Sequence, residues 1–339
     1  IPFMTYLDNR ELRRKMSLAF GQRGFRENDN NNSKIILRII ELRKKRAKLL
    51  GYESHASFVL EERMASSEKN VNNFLEDLYQ KAFPAAKREW EELISYAKKN
   101  LNLDQIEKWD IAYVSEKLKQ AQLDLDEQLL KPYFSLEKVK LGLFEIVHKL
   151  YGLSFKKSKD IQVYHDEVEV YEVFNSHGHF HALLYNDFFP REGKRNGAWM
   201  TSYRSQKKGQ RPHVSIVCNF SKPTASLPSL LTFQEVTTLF HEFGHALHGI
   251  LSETTYRALS GTSVYWDFVE LPSQIMENWC YEKKALKLFA KHYKTNEIIP
   301  MEYIKKIEKV AHFQQGLQTL RQLGFAFLDL SYHNKKANE

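Results

Sequence analysis

The run H-E-F-G-H at residues 241–245 constrains the fold of this chain more than any other stretch. In an α-helix, side chains four positions apart lie on one face, one turn from each other. His241 and His245 can therefore bind one metal ion, while Glu242, rotated by about 100°, can reach a water molecule on that ion. The spacing predicts a buried helix that carries the site of a zinc hydrolase.

The residues around this run also favour a helix. Apolar residues recur at helical spacing over 230–240, and Gly249 stands where a helix could end. The chain has 13 histidines among 339 residues, which argues against a chance match and against two unrelated core histidines. His248 lies roughly 10 Å from His241 along the axis, too far to share the ion, so we expect it to pack or to support a ligand. His248 and Leu251 stand where the extended metzincin pattern has glycine and histidine, which excludes that class.

Zinc needs a third protein ligand, and residues 261–279 contain the best candidate. After a loop of glycine, serine and threonine, Asp267 can cap a new helix with Glu270 at its third position, a capping-box arrangement. This pattern alone leaves two interpretations of Glu270 open: a zinc ligand, or a carboxylate that compensates the helix dipole. Pro272 comes slightly late for an ideal helix start, so the sequence defines the start of this helix only to within a residue or two.

Two longer stretches carry more information than the minimal motif. They are H-E-F-G-H-A-L-H, from His241, and G-T-S-V-Y-W-D-F-V-E-L-P-S-Q-I-M-E-N-W, from Gly261. Together they closely resemble the thimet oligopeptidase and bacterial peptidyl-dipeptidase family of zinc peptidases, which includes oligopeptidase A. Further family landmarks occur in the family's order at 47–52, 109–113, 189–194 and 320–323. The resemblance therefore covers essentially the whole chain.

This resemblance implies a site and an activity. His241, His245 and Glu270 would bind one zinc ion per chain, and Glu242 would be the general base that activates water. The implied function is hydrolysis of peptide bonds in short peptides. The resemblance leaves endo-acting oligopeptidase and peptidyl-dipeptidase activity both open, and the wording D-F-V-E-L-P-S-Q leans slightly to the second.

Members of that family are considerably longer at both ends than this chain. In the family, a glycine-rich loop with a histidine and tyrosines contacts the substrate and the oxyanion, and nothing in residues 334–339 resembles it. We therefore expect the central, metal-bearing part of a larger peptidase, whose remainder would be a partner and without which cleavage would be feeble. The alternative is a truncated, non-catalytic fragment that binds zinc or peptides.

Charge and composition limit the other function classes. Lysine and arginine number 50 against 42 acidic residues, and they are spread over helical segments as on a solvated face. No nucleic-acid motif accompanies them, so we expect no nucleic-acid partner. No apolar run approaches the roughly 18 residues that span a membrane, so we expect no membrane partner. Two cysteines, Cys218 and Cys280, offer no disulfide framework and favour a cytoplasmic location, with the periplasm left open.

The patterns predict a mainly α-helical fold with a small antiparallel β-sheet. A helical region over 1–160, a small β-sheet region over 161–220 and a helical zinc-site region over 221–339 would all belong to one larger catalytic domain. Helical periodicity covers 5–22, 34–50, 68–100 and 111–150, with breaks near Pro84 and Pro132. Period-two alternation predicts strands at 162–164, 168–173, 181–185 and 214–217, with a hairpin turn at 175–178.

Two features of the predicted sheet concern function. His177, His179 and His181 alternate along the hairpin, but no carboxylate or cysteine accompanies them, so we expect exposed residues and not a second metal site. Gly197, Ala198, Trp199 and Met200 could form an edge strand of small residues beside the metal. This segment could pair with an extended peptide through backbone hydrogen bonds, or it could be an ordinary strand with its tryptophan in the core.

Overall fold

Helices predominate in the computed structural model, which describes residues 2–123 and 127–334. The described residues form two compact units, one within 1–124 and 309–339, the other within 125–308. The mainly helical fold with one small sheet agrees with the prediction. The three regions predicted from the sequence concern the complete catalytic domain, and that division stays a prediction.

The first unit is built from helices. They are α1 (Pro2–Tyr6), α2 (Arg10–Gly21), α3 (Ser33–Leu49), α4 (His55–Leu60), α5 (Glu68–Leu101), α6 (Ile111–Leu123) and α12 (Gln315–His333). The predicted break near Pro84 is wrong, because α5 continues through that proline. Gly316 of α12 lies against the backbone of Ala86, and the Glu89 carboxylate accepts the N–H groups of Gly316 and Leu317. This tight packing offsets the hydrogen bond that the proline removes.

The second unit contains a five-stranded sheet. Its strands are β1 (Ser154–Ser158), β2 (Glu169–Phe174), β3 (Phe180–Asp187), β4 (Trp199–Arg204) and β5 (His213–Val217), in the order β1-β2-β3-β5-β4. Only β3 and β5 pair in parallel, so the sheet is mixed and mostly antiparallel. The hairpin turn at 175–178 is confirmed: the N–H of Gly178 donates to the carbonyl of Asn175.

One predicted strand is wrong. Residues 162–164 lie in irregular backbone, and the strand that pairs with the outer edge of β2 is β1. The hydroxyl of Tyr164 donates to a carboxylate oxygen of Asp187, so this segment is held by a side chain and not by a ladder of backbone bonds. The polar sequence of β1, S-F-K-K-S, gives little hydrophobic alternation to detect.

The second unit also contains helices. They are α7 (Leu136–Tyr151), α8 (Phe233–Ile250), α9 (Leu271–Glu277), α10 (Lys283–Phe289) and α11 (Met301–Ala311). Of these, α7 and α8 pack against the sheet. Two short 3₁₀ turns flank Leu130 and separate α6 from α7, which places a break near Pro132 as predicted. Phe240 and Phe243 of α8 are fully buried, and Gly249 approaches Val214 of β5. None of the helices in the described ranges has both the length and the apolarity needed to cross a membrane.

Candidate metal centre

Helix α8 supplies a rigid base for the site. Thr232 accepts the N–H of Glu235, and the Glu235 carboxylate accepts the N–H of Thr232, so the helix begins with a complete capping box. Its apolar residues are buried from Phe233 to Ile250. A helix that is capped at its start and packed along its length holds side chains in fixed directions, as a metal site requires.

The two histidines of α8 meet Glu270 at one point. His241 Nε2 lies 3.1 Å from Glu270 Oε2, and His245 Nε2 lies 3.2 Å from the same oxygen. Ligands about 2.0–2.1 Å from a tetrahedral zinc ion are separated by about 3.3 Å from one another. The three donor atoms therefore have the spacing and the chemical type that zinc prefers. Within residues 2–123 and 127–334, these three residues form the only such group of potential metal donors.

Glu242 lies beside this group, on the face of α8 that packs against β4. Its side chain is buried, and the backbone N–H of Met200 in β4 faces its carboxylate. Burial raises the pKa of Glu242 to about 7, while the charge of His241 and the Met200 N–H oppose the rise. Its Oε2 has no hydrogen-bond partner in the described part of the chain. A buried carboxyl with a pKa near neutrality can both accept and return a proton at physiological pH.

Helix α9 brings two further polar side chains to the site that sequence reasoning did not identify. Glu277 Oε1 lies 2.6 Å from His241 Nδ1, and this hydrogen bond raises the pKa of His241. The hydroxyl of Ser273 donates to Glu270 Oε2 at 2.7 Å. The sequence held a signal for both, since Glu270, Ser273 and Glu277 are spaced at i, i+3 and i+7, one face of a helix.

The predicted start of this second helix is wrong. Asp267 lies in a turn, and α9 begins at Leu271 with Glu270 at its N-cap position and no side-chain cap. Pro272 explains the shift, because proline is favoured in the first turn of a helix, where its missing N–H is not needed. Glu270 therefore stands outside the helix, free of the capping bond that the predicted arrangement would have required.

The other histidines lie elsewhere. His177 and His179 are exposed at the tip of the β2–β3 hairpin, as expected. The expected exposure of His181 is wrong, because this residue lies in β3 and is buried with its Nε2 3.0 Å from Arg211. His248 lines a cavity of about 440 Å³ between α8 and α9. Its ring lies near Phe268, and its Nδ1 has no hydrogen-bond partner within the described ranges. It is not among the three converging donors.

The segment at Gly197, Ala198 and Trp199 leads into the edge of the sheet. Strand β4 is outermost in the strand order, and Trp199 at its start is half-buried. Gly197 has φ of +102°, a conformation that favours glycine, and its carbonyl accepts a hydrogen bond from Asn219. The segment therefore enters an edge strand whose Met200 N–H contacts Glu242.

Comparison with known proteins identifies the family. Residues 3–339 match Peptidase family M3. Oligopeptidase A of Escherichia coli is 40% identical over 343 residues, which are 98% of this chain and 50% of that protein. The dipeptidyl carboxypeptidase of Escherichia coli is 36% identical over 100% of this chain and 50% of its own length. Saccharolysin of Saccharomyces cerevisiae is 34% identical over 90% of this chain and 46% of its own length.

The chain thus spans about half the length of the curated relatives that it matches. The match covers the converging histidines and glutamate as well as the helices of the first unit. The resemblance seen in the sequence is confirmed, and the chain belongs to peptidase family M3, a family of metallopeptidases.

Proposed function

We propose that this chain carries the catalytic centre of a zinc-dependent peptidase that hydrolyses short peptides. The observation that carries the proposal is the convergence of His241, His245 and Glu270 on one point, with a buried Glu242 beside them. Relatives named oligopeptidase A and dipeptidyl carboxypeptidase support the substrate class. The relatives are about twice as long, so the proposal concerns the complete protein.

One zinc ion per chain would be held by His241, His245 and Glu270, a donor set of two imidazoles and one carboxylate. Bound there, zinc would acidify a water molecule and polarise the carbonyl of the scissile bond. The short separations between donor atoms support this ligand set over a purely structural role for the two histidines.

Glu242 would be the general base. It does not belong to the converging donor group, and its carboxylate faces the backbone N–H of Met200 in β4. We propose that it accepts a proton from the attacking water and gives this proton to the leaving amine. In the metal-free chain, burial raises the pKa of Glu242 to about 7, which favours acceptance of a proton by its carboxylate.

The substrate would lie along β4. An outermost strand has backbone groups that no other strand uses, and an extended peptide can bind them by β-augmentation. Gly197, Ala198 and Trp199 would contact this peptide at the start of the strand. Because Met200 of β4 faces the Glu242 carboxylate, a peptide on this strand would lie beside the base.

The choice between oligopeptidase and peptidyl-dipeptidase activity rests on the resemblance to the family. Cleavage within oligopeptides and removal of C-terminal dipeptides are both represented among the relatives' names, and we retain the slight preference for peptidyl-dipeptidase activity. We also propose a cytoplasmic location, in keeping with a relative named probable cytosolic oligopeptidase A in Arabidopsis thaliana. The remainder of the peptidase would complete the substrate site.

Metal content gives the first test. The purified chain should contain about one zinc ion by elemental analysis. His245→Ala should lose this ion, whereas His248→Ala, one turn further along the same helix, should keep it. Equal zinc content in the wild type and His245→Ala would rule out the ligand assignment.

Turnover gives the second test. A peptide with a free C-terminus and the same peptide with a blocked C-terminus should be incubated with the complete protein and with its Glu242→Gln variant. The variant should keep zinc but lose about 10²–10⁴-fold in rate, the usual contribution of a general base. Substantial activity in zinc-loaded Glu242→Gln would assign the base role to another group, and cleavage of only the free peptide would identify a peptidyl-dipeptidase.

A further inference from the structure

Helix α9 presents two polar side chains to the candidate metal centre from one face. Ser273 and Glu277 are four positions apart, one turn of the helix, and both contact a residue of the converging group. Ser273 is fully buried and Glu277 is about one-third exposed. This face of α9 is therefore in contact with the site and is not a solvated surface.

The close approach of α8 and α9 depends on Gly244. A Cβ atom at this position would lie 2.5 Å from the carbonyl oxygen of Pro272 and 2.5 Å from Cα of Ser273. Such distances are far below van der Waals contact, so another residue at 244 would force α9 away from α8. The glycine between the two histidines thus fixes how near Ser273 and Glu277 stand to the donors.

Glu277 determines which nitrogen of His241 is available. With Glu277 Oε1 2.6 Å from Nδ1, the proton of a neutral imidazole belongs on Nδ1, where it is donated to the carboxylate. The lone pair is then on Nε2, the nitrogen that faces Glu270 Oε2. A carboxylate partner also increases the basicity of the imidazole and fixes the orientation of its ring.

Ser273 acts on Glu270 in a comparable way. Its hydroxyl lies 2.7 Å from Glu270 Oε2 and 2.9 Å from the Glu270 carbonyl, so it can bridge the side chain and backbone of one residue. The Glu270 side chain is about half exposed, so burial alone does not fix its direction. The bridge holds Oε2 towards the two histidines.

His245 provides an internal contrast. Its Nδ1 is buried and has no hydrogen-bond partner in the described ranges, although its Nε2 faces the same Glu270 oxygen. This ring is buried, and no side chain of α9 forms a hydrogen bond with its Nδ1. The two histidines of one motif are therefore held by different means.

We propose that Ser273 and Glu277 are positioning residues that preorganise the metal centre, Glu277 by fixing His241 and Ser273 by fixing Glu270. This inference rests on the proposed function, since it assumes that the converging group binds zinc. According to this proposal, the S-Q-I-M-E segment of α9 increases the affinity for zinc although none of its residues is a ligand.

The test is the zinc affinity of this chain, measured by competition with a chromophoric chelator. Glu277→Ala should bind zinc about 10- to 100-fold more weakly than the wild type, the usual effect of losing a hydrogen-bond partner of a ligating histidine. Glu277→Gln keeps an acceptor oxygen and should lose less. Ser273→Ala should also weaken binding, by less than Glu277→Ala. The matched control is Glu282→Gln, which removes a carboxylate from the exposed start of α10 and should bind like the wild type.

Two further measurements separate positioning from damage to the fold. Metal-free unfolding by urea should be similar for the wild type and Glu277→Gln, and cobalt-substituted Glu277→Gln should show an altered visible absorption spectrum because the ligand field at His241 changes. Wild-type affinity in both Glu277 variants would overturn the proposal while leaving the zinc site intact. Failure of the wild-type chain to bind zinc would instead overturn the proposed function, and this inference with it. If Glu277→Ala does not fold, Glu277→Gln alone decides.

Discussion

Two groups of buried ionisable residues in the second unit differ in how completely their polar atoms are hydrogen-bonded. Around Asp187, Arg191 donates to both carboxylate oxygens at 2.7 and 2.8 Å, and Lys194 and Tyr164 add bonds at 2.9 Å each. Lys194 also donates to the carbonyls of Phe189 and Cys218. This ion cluster is fully hydrogen-bonded. Around His241, by contrast, Glu242 Oε2 and His245 Nδ1 are buried without a partner in the described residues.

The comparison shows how partners, and not burial, decide the state of a carboxyl group. Burial alone would raise the pKa of both Asp187 and Glu242. For Asp187, the hydrogen bonds from Arg191, Lys194 and Tyr164 outweigh burial and lower the pKa to about 2. For Glu242 nothing comparable is present, and the pKa rises to about 7. Structural networks satisfy their own polar atoms, whereas a site keeps some for a ligand or a proton.

The Asp187 cluster should be the more sensitive of the two to loss of a partner. Asp187→Ala would leave Lys194 buried with no counter-charge, and breaking a buried pair in this way typically costs about 3–5 kcal/mol. Urea unfolding of the metal-free chain measures the loss. Asp187→Asn, which keeps the shape and some hydrogen bonds, should cost less. A loss below about 1 kcal/mol for Asp187→Ala would mean that the ion pairs of this cluster contribute little to the free energy of unfolding.

Zinc should stabilise the metal centre and leave the Asp187 cluster unaffected. A ligand that binds only the folded state at about 100 times its Kd adds about 2.7 kcal/mol to the free energy of unfolding. Thermal unfolding with and without zinc should show this increment in the wild type and in Asp187→Asn, but not in His245→Ala. An equal increment in His245→Ala would place the zinc ion at a different site.

Acid should reduce the contribution of the Asp187 cluster to the free energy of unfolding. The pKa of Asp187 is lowered in the folded chain from 3.8 to about 2, so its contribution to stability is complete above about pH 5 and is lost as pH falls towards 2. The shift corresponds to about 2 kcal/mol. The difference in unfolding free energy between wild type and Asp187→Asn should therefore shrink between pH 5 and pH 2. A difference that stays constant over this range would contradict the lowered pKa.

The sequence predicted the parts of this molecule that depend on local pattern. The helical spacing of His241 and His245 requires only a helix, and the alternation at 168–173, 181–185 and 214–217 requires only strands. Glu270 came from the family resemblance, and the predicted capping box that accompanied it was wrong because Pro272 moved the helix start.

What remained hidden depends on distant contacts. The Met200 N–H reaches Glu242 from a strand about 40 positions away, and Glu277 reaches His241 across 36 positions. Helical spacing places Glu277 on one face of α9, but it does not specify which residue of another element that face meets. The continuity of α5 through Pro84 likewise follows from its packing on α12, which is far away in the chain. Tertiary contacts of this kind override local propensity.

The smallest expected change in stability is that of Glu242→Gln, and it gives the most direct comparison between the Glu242 and Asp187 carboxyl groups. Glu242→Gln replaces a buried carboxyl that lacks a partner on Oε2 by a neutral group of nearly equal size. Because no ion pair is broken, the free energy of unfolding of the metal-free chain at pH 7 should change by less than about 1 kcal/mol, and removal of a poorly solvated charge favours an increase. Asp187→Asn, the same chemical change in the paired cluster, should lower stability under the same conditions. Side-by-side urea titrations of the two variants decide the matter: if Glu242→Gln is destabilised as much as Asp187→Asn, Glu242 is held by partners like those of Asp187 and is not kept available for proton transfer.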